Sequence, residues 1–436
     1  MATAVEGRRR GGPGRGLRGG EVLACEGCGT VHRLPAMSDD TVATCTACGG
    51  QLALRYDDTV TRTLALYVAA LCLVLVANAF PIMTMAIEGQ SNAATILDSA
   101  KVLYVEGMWP LSVAVALAGI IMPLVKILGM IAVLTPLQLG LRPTWIVGAF
   151  RLVERVQTWA MMEVYLLGVI VAYVKMQDLA TVTLGIAAIA FVLTILLVAA
   201  ADARFDPHAI WLRLAKQADA SVLEPQPGTV LVSCEQCEQV VRVPGDELHG
   251  LQCPRCGTPI HRRKPDSVNR TWALLVTAAI LYVPANLLPV LTVISFGQGA
   301  PSTILGGVVE LIQAGMLPVA ILVLFASILV PVLKLIGLAF LLISVQRRWT
   351  TRLADRTKLY RIIEGIGRWS MVDVFMTGIL AALVALGNLA TISAGPGAVA
   401  FCGVVIVTIF ASMSFDPRLM WDVADDQDDP GRPLRV

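Results

Sequence analysis

Trp109–Leu134 reads WPLSVAVALAGIIMPLVKILGMIAVL, a run whose single charge is Lys126. About 20 apolar residues cross the hydrocarbon core as a helix, so this stretch marks a membrane span. Its signature returns about 208 residues later: Pro123-Leu124-Val125-Lys126 as Pro331-Val332-Leu333-Lys334, and Gly107-Met108-Trp109-Pro110 as Gly315-Met316-Leu317-Pro318. Further out, Ala77-Asn78-Ala79-Phe80-Pro81 recurs as Ala285-Asn286-Leu287-Leu288-Pro289. With a two-residue slip, Trp159-Ala160-Met161-Met162-Glu163 recurs as Trp369-Ser370-Met371-Val372-Asp373, and Phe205-Asp206-Pro207 as Phe415-Asp416-Pro417. The chain is a duplication.

Of 436 residues, 56% are hydrophobic and 15% charged, where a soluble domain carries about 25% charged. Each copy predicts four apolar helices, roughly 63–84, 109–138, 160–178 and 181–201, then 271–294, 315–344, 370–390 and 397–415. The expected fold is an all-α polytopic membrane protein of two parallel four-helix repeats, each preceded by a small cysteine module. The expected divisions are a disordered Gly/Arg-rich extension (1–20), module 1 (21–60), membrane unit 1 (61–203), linker and module 2 (204–268), membrane unit 2 (269–415) and an acidic tail (416–436). The extension has no apolar h-region, so a secreted enzyme is not expected. All 27 arginines fall in the N-terminal, central and C-terminal segments or in the loops 139–158 and 346–369, whereas the opposite loops hold only Lys101 and Lys175. Lys and Arg prefer the cytoplasmic side, which places both termini and both modules there.

Cys25-x-x-Cys28 with Cys45-x-x-Cys48, and Cys234-x-x-Cys237 with Cys253-x-x-Cys256, have the spacing of four-thiolate tetrahedral sites. Two zinc ions are expected, one per module, holding together segments too small to bury a core. Iron with an electron-transfer role is the less favoured occupant, and metal sensing is a further alternative. Gly29, Gly49 and Gly257 follow three of the knuckles, and Glu238 follows the fourth.

Ionisable residues at membrane depth are functional candidates by default. Lys126 and Lys334 each lie three residues after a proline, Pro123 or Pro331, which frees a carbonyl and offers a hinge. At about 1.5 Å per residue they fall in the inner third of the core. Glu163 and Asp373 lie at comparable depth and are expected to pair with these lysines within each repeat; the alternative is that the lysines snorkel to the interface and the acids sit at helix N-termini. Lys175 and Asp178 break the duplication, their counterparts being Ala385 and Asn388, and form a candidate gating or proton-carrying pair or a solvated turn. Asn78-x-x-Pro81 and Asn286-x-x-Pro289 are expected to kink the first helix of each unit. Asp98, Lys101 and Glu106 suggest an amphipathic segment within 85–108. Arg151-x-x-Glu154 and Arg361-x-x-Glu364 suggest i,i+3 ion pairs. No nucleotide-binding or hydrolase motif is present, and neither an enzyme nor a nucleic-acid partner is expected.

Duplicated cysteine modules, each heading a four-helix unit with Asn-x-x-Pro, Gly-Met-x-Pro, Pro-x-x-Lys and Trp-x-Met-x-(Glu/Asp)-Val in order, resemble the paraquat-inducible protein A family of bacterial inner membranes. The resemblance covers about residues 22–417 and matches all eight cysteines to the family's metal positions. It implies an inner-membrane partner of a periplasmic MCE-domain protein, the pair moving phospholipid between membranes without an ATPase in this chain. Proton coupling through the intramembrane charges is an extension of that role, drawn from the cost of burying them. The competing class is a zinc-module scaffold or sensor anchoring an envelope complex.

Overall fold

The computed structural model describes residues 22–34, 41–55, 59–87, 90–177, 181–214, 228–244, 250–295, 298–384 and 390–425. Module 1 is two short antiparallel hairpins, β1 (Val22–Ala24) with β2 (Val31–Arg33) and β3 (Thr41–Thr44) with β4 (Gln51–Arg55). Unit 1 comprises α1 (Thr59–Ala79), β5 (Met83–Ile87), β6 (Gln90–Ala94), α2 (Ile96–Val105), α3 (Trp109–Ala116), α4 (Met122–Gln138), α5 (Ile146–Gln157), α6 (Met162–Met176), β7 (Thr181–Leu184), α7 (Ile186–Arg204) and α8 (Pro207–Leu214). Module 2 contains β8 (Thr229–Ser233) and β9 (Val240–Pro244). Unit 2 repeats the order: α9 (Ser267–Leu287), β10 (Leu291–Ser295), β11 (Gln298–Ser302), α10 (Ile304–Gln313), α11 (Leu317–Leu324), α12 (Val330–Gln346), α13 (Leu353–Gly367), α14 (Val372–Leu383), β12 (Ala390–Ala394), α15 (Pro396–Ser414) and α16 (Leu419–Asp425). Among the described residues, eight helical stretches are long and apolar enough to cross a membrane: 60–79, 109–138, 146–176, 186–204, 267–287, 317–346, 353–383 and 396–414.

The first helix of each unit ends sooner than the sequence predicts, and it is stopped where a kink was expected. Asn78 Nδ2 donates to Val74 O and Asn286 Nδ2 to Tyr282 O, each at 2.8 Å. Each bond adds a side-chain donor to a carbonyl one turn back, and Pro81 and Pro289 lie beyond the helix ends. Each chain then turns into a strand. The segment expected to be a simple amphipathic stretch is instead a hairpin followed by α2, capped by Thr95 and Asp98. The sheets β6-β5-β7 and β11-β10-β12 close the end of each unit opposite the modules, adding short strands to an otherwise helical fold. Pro123 and Pro331 likewise do not act as simple kinks. A π-helical turn, Leu117–Ile121 or Phe325–Leu329, precedes each of them and shifts the bonding pattern around the missing amide.

Gly185 and Gly395 seat the fourth span of each unit on its sheet. Gly185 N donates to Ile82 O at 3.0 Å and Gly395 N to Val290 O at 2.8 Å. A Cβ at these positions would lie 2.1 Å from Pro81 O and 2.2 Å from Pro289 O, both backbone atoms. Gly395→Ala is therefore expected to destabilise the chain by about 1–3 kcal/mol. Gly365→Ala, which points into open space, should leave the melting temperature unchanged or raise it; thermal unfolding in detergent compares the two.

The duplication is not symmetric in burial. Every residue of α14 is buried, because α14 packs against α6, α2, α3 and α15 at the join of the two units. Asn92 Nδ2 donates to Ala382 O and Leu383 O at 3.0 and 3.1 Å, so unit 1 caps the end of this unit 2 helix. At the centre Tyr165 stacks edge-on against Phe375 and Phe191, with centroids 5.2 and 5.6 Å away. Gly168 leaves room for the Phe375 side chain and the α14 backbone, the close approach that small residues permit between membrane helices.

The repeated Phe-Asp-Pro sequence is the exit turn from each fourth span. Asp206 Oδ1 accepts the His208 amide and Asp416 Oδ1 the Arg418 amide, both at 3.0 Å. Burial pushes the Asp416 carboxyl up, but the Arg418 guanidinium and the Lys264 and Arg418 amides outweigh it and hold it below the usual range. Its stabilisation is thus present at neutral pH and lost as pH falls through that depressed value.

Candidate metal centres and intramembrane polar site

In each module two Cys-x-x-Cys knuckles face each other and bury four thiols. Cys25 Sγ lies 3.4 Å from Cys48 Sγ and Cys28 Sγ 3.5 Å from Cys45 Sγ; in module 2 the Cys234–Cys256 and Cys237–Cys253 separations are both 3.5 Å. All four sulfurs of each cluster lie within 4.8 Å of one another. A tetrahedron with bonds of about 2.3 Å to sulfur has edges of about 3.8 Å, so each cluster has the donors and the size to hold a metal ion. The knuckle turns are built alike. The amides of Gly29, Gly49 and Gly257 donate to the carbonyl of the first cysteine at 2.7–2.9 Å, with φ of 69–72°. Glu238 takes the same left-handed turn at φ 56° and donates to Cys234 O at 3.0 Å, so the missing glycine changes strain and leaves the architecture intact.

Module 1 sits on unit 2. Cluster 1 packs with Leu338, Tyr360 and Ile363 of unit 2, and Arg361 Nη2 reaches Cys48 Sγ at 3.0 Å. Module 2 meets both units: Gln236 Nε2 donates to Glu154 Oε2 of unit 1 at 2.5 Å, and Arg418 of unit 2 pairs with Glu235 at 3.2 Å, while Trp211 Nε1 of α8 holds the other Glu154 oxygen at 3.0 Å. The expected ion pairs Arg151–Glu154 and Arg361–Glu364 give way to these contacts, because each inner helix turns its polar residues toward a module.

Among the described residues, Lys126 does not pair with Glu163 nor Lys334 with Asp373. Lys126 is buried and its Nζ lies 2.5 Å from Asp202 Oδ2, while Tyr67 OH donates to Asp202 Oδ1 at 2.5 Å. Glu163 is exposed, since its helix turns it away from α4. In unit 2 the counterparts of Asp202 and Tyr67 are Ser412 and Leu275, and Lys334, 1% exposed, donates to Thr408 Oγ1 at 2.9 Å. Asp202→Asn is expected to cost about 2–3 kcal/mol, because a buried ammonium loses its carboxylate, and to lower the melting temperature in detergent. Asp355→Asn, at an exposed position, should shift it far less.

Asp373 is buried, and among the described residues its Oδ1 has no hydrogen-bond partner. It lines a small cavity of about 40 Å³ with Ser327, Lys175, Leu291, Thr303 and Phe401. The cavity thus takes walls from both units, with one acid and one base facing an otherwise apolar space. Asp178, the other half of the expected Lys175 pair, lies outside the described residues. Sequence reasoning missed Tyr67, Asp202, Ser327 and Thr408, and gave Arg361 only an ion pair with Glu364. The signal available was the difference between copies: Asp202 against Ser412, Val198 against Thr408, and Gly119 against Ser327.

Among known proteins, the family described as Paraquat-inducible protein A matches residues 60–215 and 268–425. The chain is 33% identical over 406 residues to the Intermembrane transport protein PqiA of Escherichia coli (strain K12), covering 92% of this chain and 95% of that protein. It is 29% identical over 411 residues to the Lipophilic envelope-spanning tunnel protein A of the same strain, covering 94% and 93%. It is 26% identical over 414 residues to a Probable intermembrane transport protein of Haemophilus influenzae, covering 93% and 97%. No solved structure matches.

Proposed function

The chain belongs to the paraquat-inducible protein A family, and from that premise we propose that it is the bacterial inner-membrane subunit of an envelope system that moves phospholipid to or from a periplasmic MCE-domain partner. Its relatives carry the names of intermembrane transport and envelope-spanning tunnel proteins. The observation that carries the reading is the cavity between the units. Leu291, Val323 and Phe401 set apolar walls beside Lys175, Asp373 and Ser327; at about 40 Å³ the space holds no lipid as it stands, and in this reading it widens when the units move apart.

Energy comes from the proton gradient in this reading. An ionised Asp373 draws the Lys175 ammonium across the cavity and closes it; a protonated Asp373 releases that hold and admits a headgroup. Ser327 and Lys334 lie seven residues apart on one helix face, and Lys334 with Thr408 extends the polar line toward the module end. Unit 1 has no equivalent line because Asp202 holds Lys126 in a closed triad, which leaves unit 1 as the frame against which unit 2 acts. Zinc is the proposed metal, one ion per cluster: it binds four thiolates, cycles no electrons and closes the fold of each module. The modules and both termini face the cytoplasm, in keeping with the placement of the arginines.

The experiment is purification in mild detergent after co-expression with the neighbouring MCE-type protein, with native mass spectrometry of metal, lipid and partner together, and then lipid transfer between labelled vesicles. Two zinc ions, bound phospholipid, a complex with the partner and transfer that responds to a pH gradient are expected. A metal-loaded chain with neither lipid nor partner would favour the scaffold or sensor reading instead.

A further inference from the structure

The two cysteine clusters differ in one respect that the duplication does not predict. In module 1, Gly27 and Gly50 form a cradle filled by the Arg361 guanidinium: a Cβ at position 50 would lie 2.3 Å from Nη2, and one at position 27 would lie 2.8 Å from it. The guanidinium donates to Cys48 Sγ at 3.0 Å. His32 Nε2 lies 3.2 Å from Cys45 Sγ, so a ring nitrogen faces the same cluster. In module 2 the positions matching Gly27 and Gly50 carry Gln236 and Thr258, and the position matching His32 carries Val241. The side chains of Gln236 and Thr258 fill the cradle, Gln236 turns to Glu154, and Arg151, the counterpart of Arg361, makes no such sulfur contact among the described residues.

We propose that Arg361, seated in the Gly27–Gly50 cradle, is an outer hydrogen-bond partner of metal centre 1 supplied by the opposite membrane unit, so that metal retention in module 1 and docking of module 1 on α13 are coupled. The proposal rests on the metal reading above. Four thiolates around a divalent ion carry an excess of two negative charges, and an N–H donor on a permanently charged fork offsets part of that excess at Cys48. Such outer partners govern metal affinity by roughly 10–100-fold. The coupling is reciprocal: if docking strengthens metal binding, metal binding strengthens docking by the same factor. Centre 2 lacks the guanidinium and is the more labile of the two.

The test uses the full zinc-loaded chain in detergent and measures zinc release to a chromophoric chelator. Arg361→Gln should speed release of one of the two ions roughly 10–100-fold. Gly50→Ala should do the same by evicting only the mobile tip of an arginine, with the fold kept; circular dichroism checks this. Arg151→Gln should change neither ion. Hydrogen exchange supplies the second readout: on chelation, α13 amides should lose protection in the wild type, and Arg361→Gln should show that loss before any chelator is added. Release rates unchanged in both Arg361→Gln and Gly50→Ala would overturn the proposal while leaving the metal reading intact. A chain that carries no metal at all would overturn the metal reading itself.

Discussion

Asp373→Asn is expected to reduce lipid transfer by about 100-fold or more, the scale on which removal of a proton-transferring group acts, without lowering the yield of folded protein. Asparagine has the same volume and keeps a hydrogen-bonding oxygen beside Ser327, so packing around the wholly buried α14 is preserved. What it removes is the ability to gain and lose a proton where one carboxylate oxygen has no partner among the described residues. Lys334→Met should act equally, because among the described residues its ammonium is held by Thr408 alone and no carboxylate lies in salt-bridge range. Glu163→Gln is the internal control. It is the repeat counterpart of Asp373, but it faces outward and should transfer lipid at the wild-type rate. The measurement is transfer between labelled vesicles with the partner present. Transfer by Asp373→Asn within about twofold of wild type, far short of the loss a proton-transferring group should give, would remove Asp373 from the pathway and leave the cavity as packing.

The pattern of losses should also separate the halves. Asp202→Asn weakens the fold through Lys126, whereas Asp373→Asn stops transfer through the cavity. That division comes from two positions: Asp202 against Ser412, a carboxylate for a hydroxyl, and Val198 against Thr408, an apolar side chain for a hydroxyl.

The eight spans and the two cysteine clusters were legible in the sequence because both signals are local. A long apolar run announces a helix wherever it packs, and two Cys-x-x-Cys pairs announce a metal cage by spacing alone. The partner of Lys126 was not legible. Asp202 lies at the module end of α7, next to Arg204, and looks like an ordinary interfacial charge until tertiary packing brings α1, α4 and α7 together. The sheets were hidden for a different reason: strands of four or five residues such as Thr181–Leu184 adjoin apolar helices, and hydropathy merges the two. Lys175, by contrast, was marked by the broken repeat, and its place in the cavity wall comes from unit 2 residues distant in sequence. The seat of module 1 on unit 2 was beyond any sequence reading, since Cys48 and Arg361 lie 313 residues apart.

Removing the metal is expected to have the largest effect on the modules themselves. Module 1 consists of two hairpins of three to five residues per strand, and its apolar clusters are small: Leu23, Leu34 and Ala53 with Ala43, and Ala24, Val31 and Val22 against Val240 and Leu231 of module 2. At about 25 cal/mol per Å² of apolar surface, so few side chains cannot offset the ordering of some forty residues. A structural zinc contributes about 10–16 kcal/mol in small peptides, enough to decide whether the hairpins form. Cys45→Ser should therefore melt module 1, and Cys253→Ser should melt module 2. Limited proteolysis should then cut within 41–55 or 228–260 while the helical signal of the spans persists, because the spans are held by their own packing. Melting module 1 should also reach further than melting module 2. Cluster 1 packs against Leu338, Tyr360 and Ile363 at the inner end of unit 2, beside the helix whose Gly367 backbone abuts Lys334 Nζ. Loss of module 1 should consequently slow lipid transfer as well as expose cleavage sites, through the lysine that unit 2 uses. An identical protease pattern before and after chelation would mean that the hairpins stand without metal, and the cysteines would then have to be conducting some chemistry other than holding the fold.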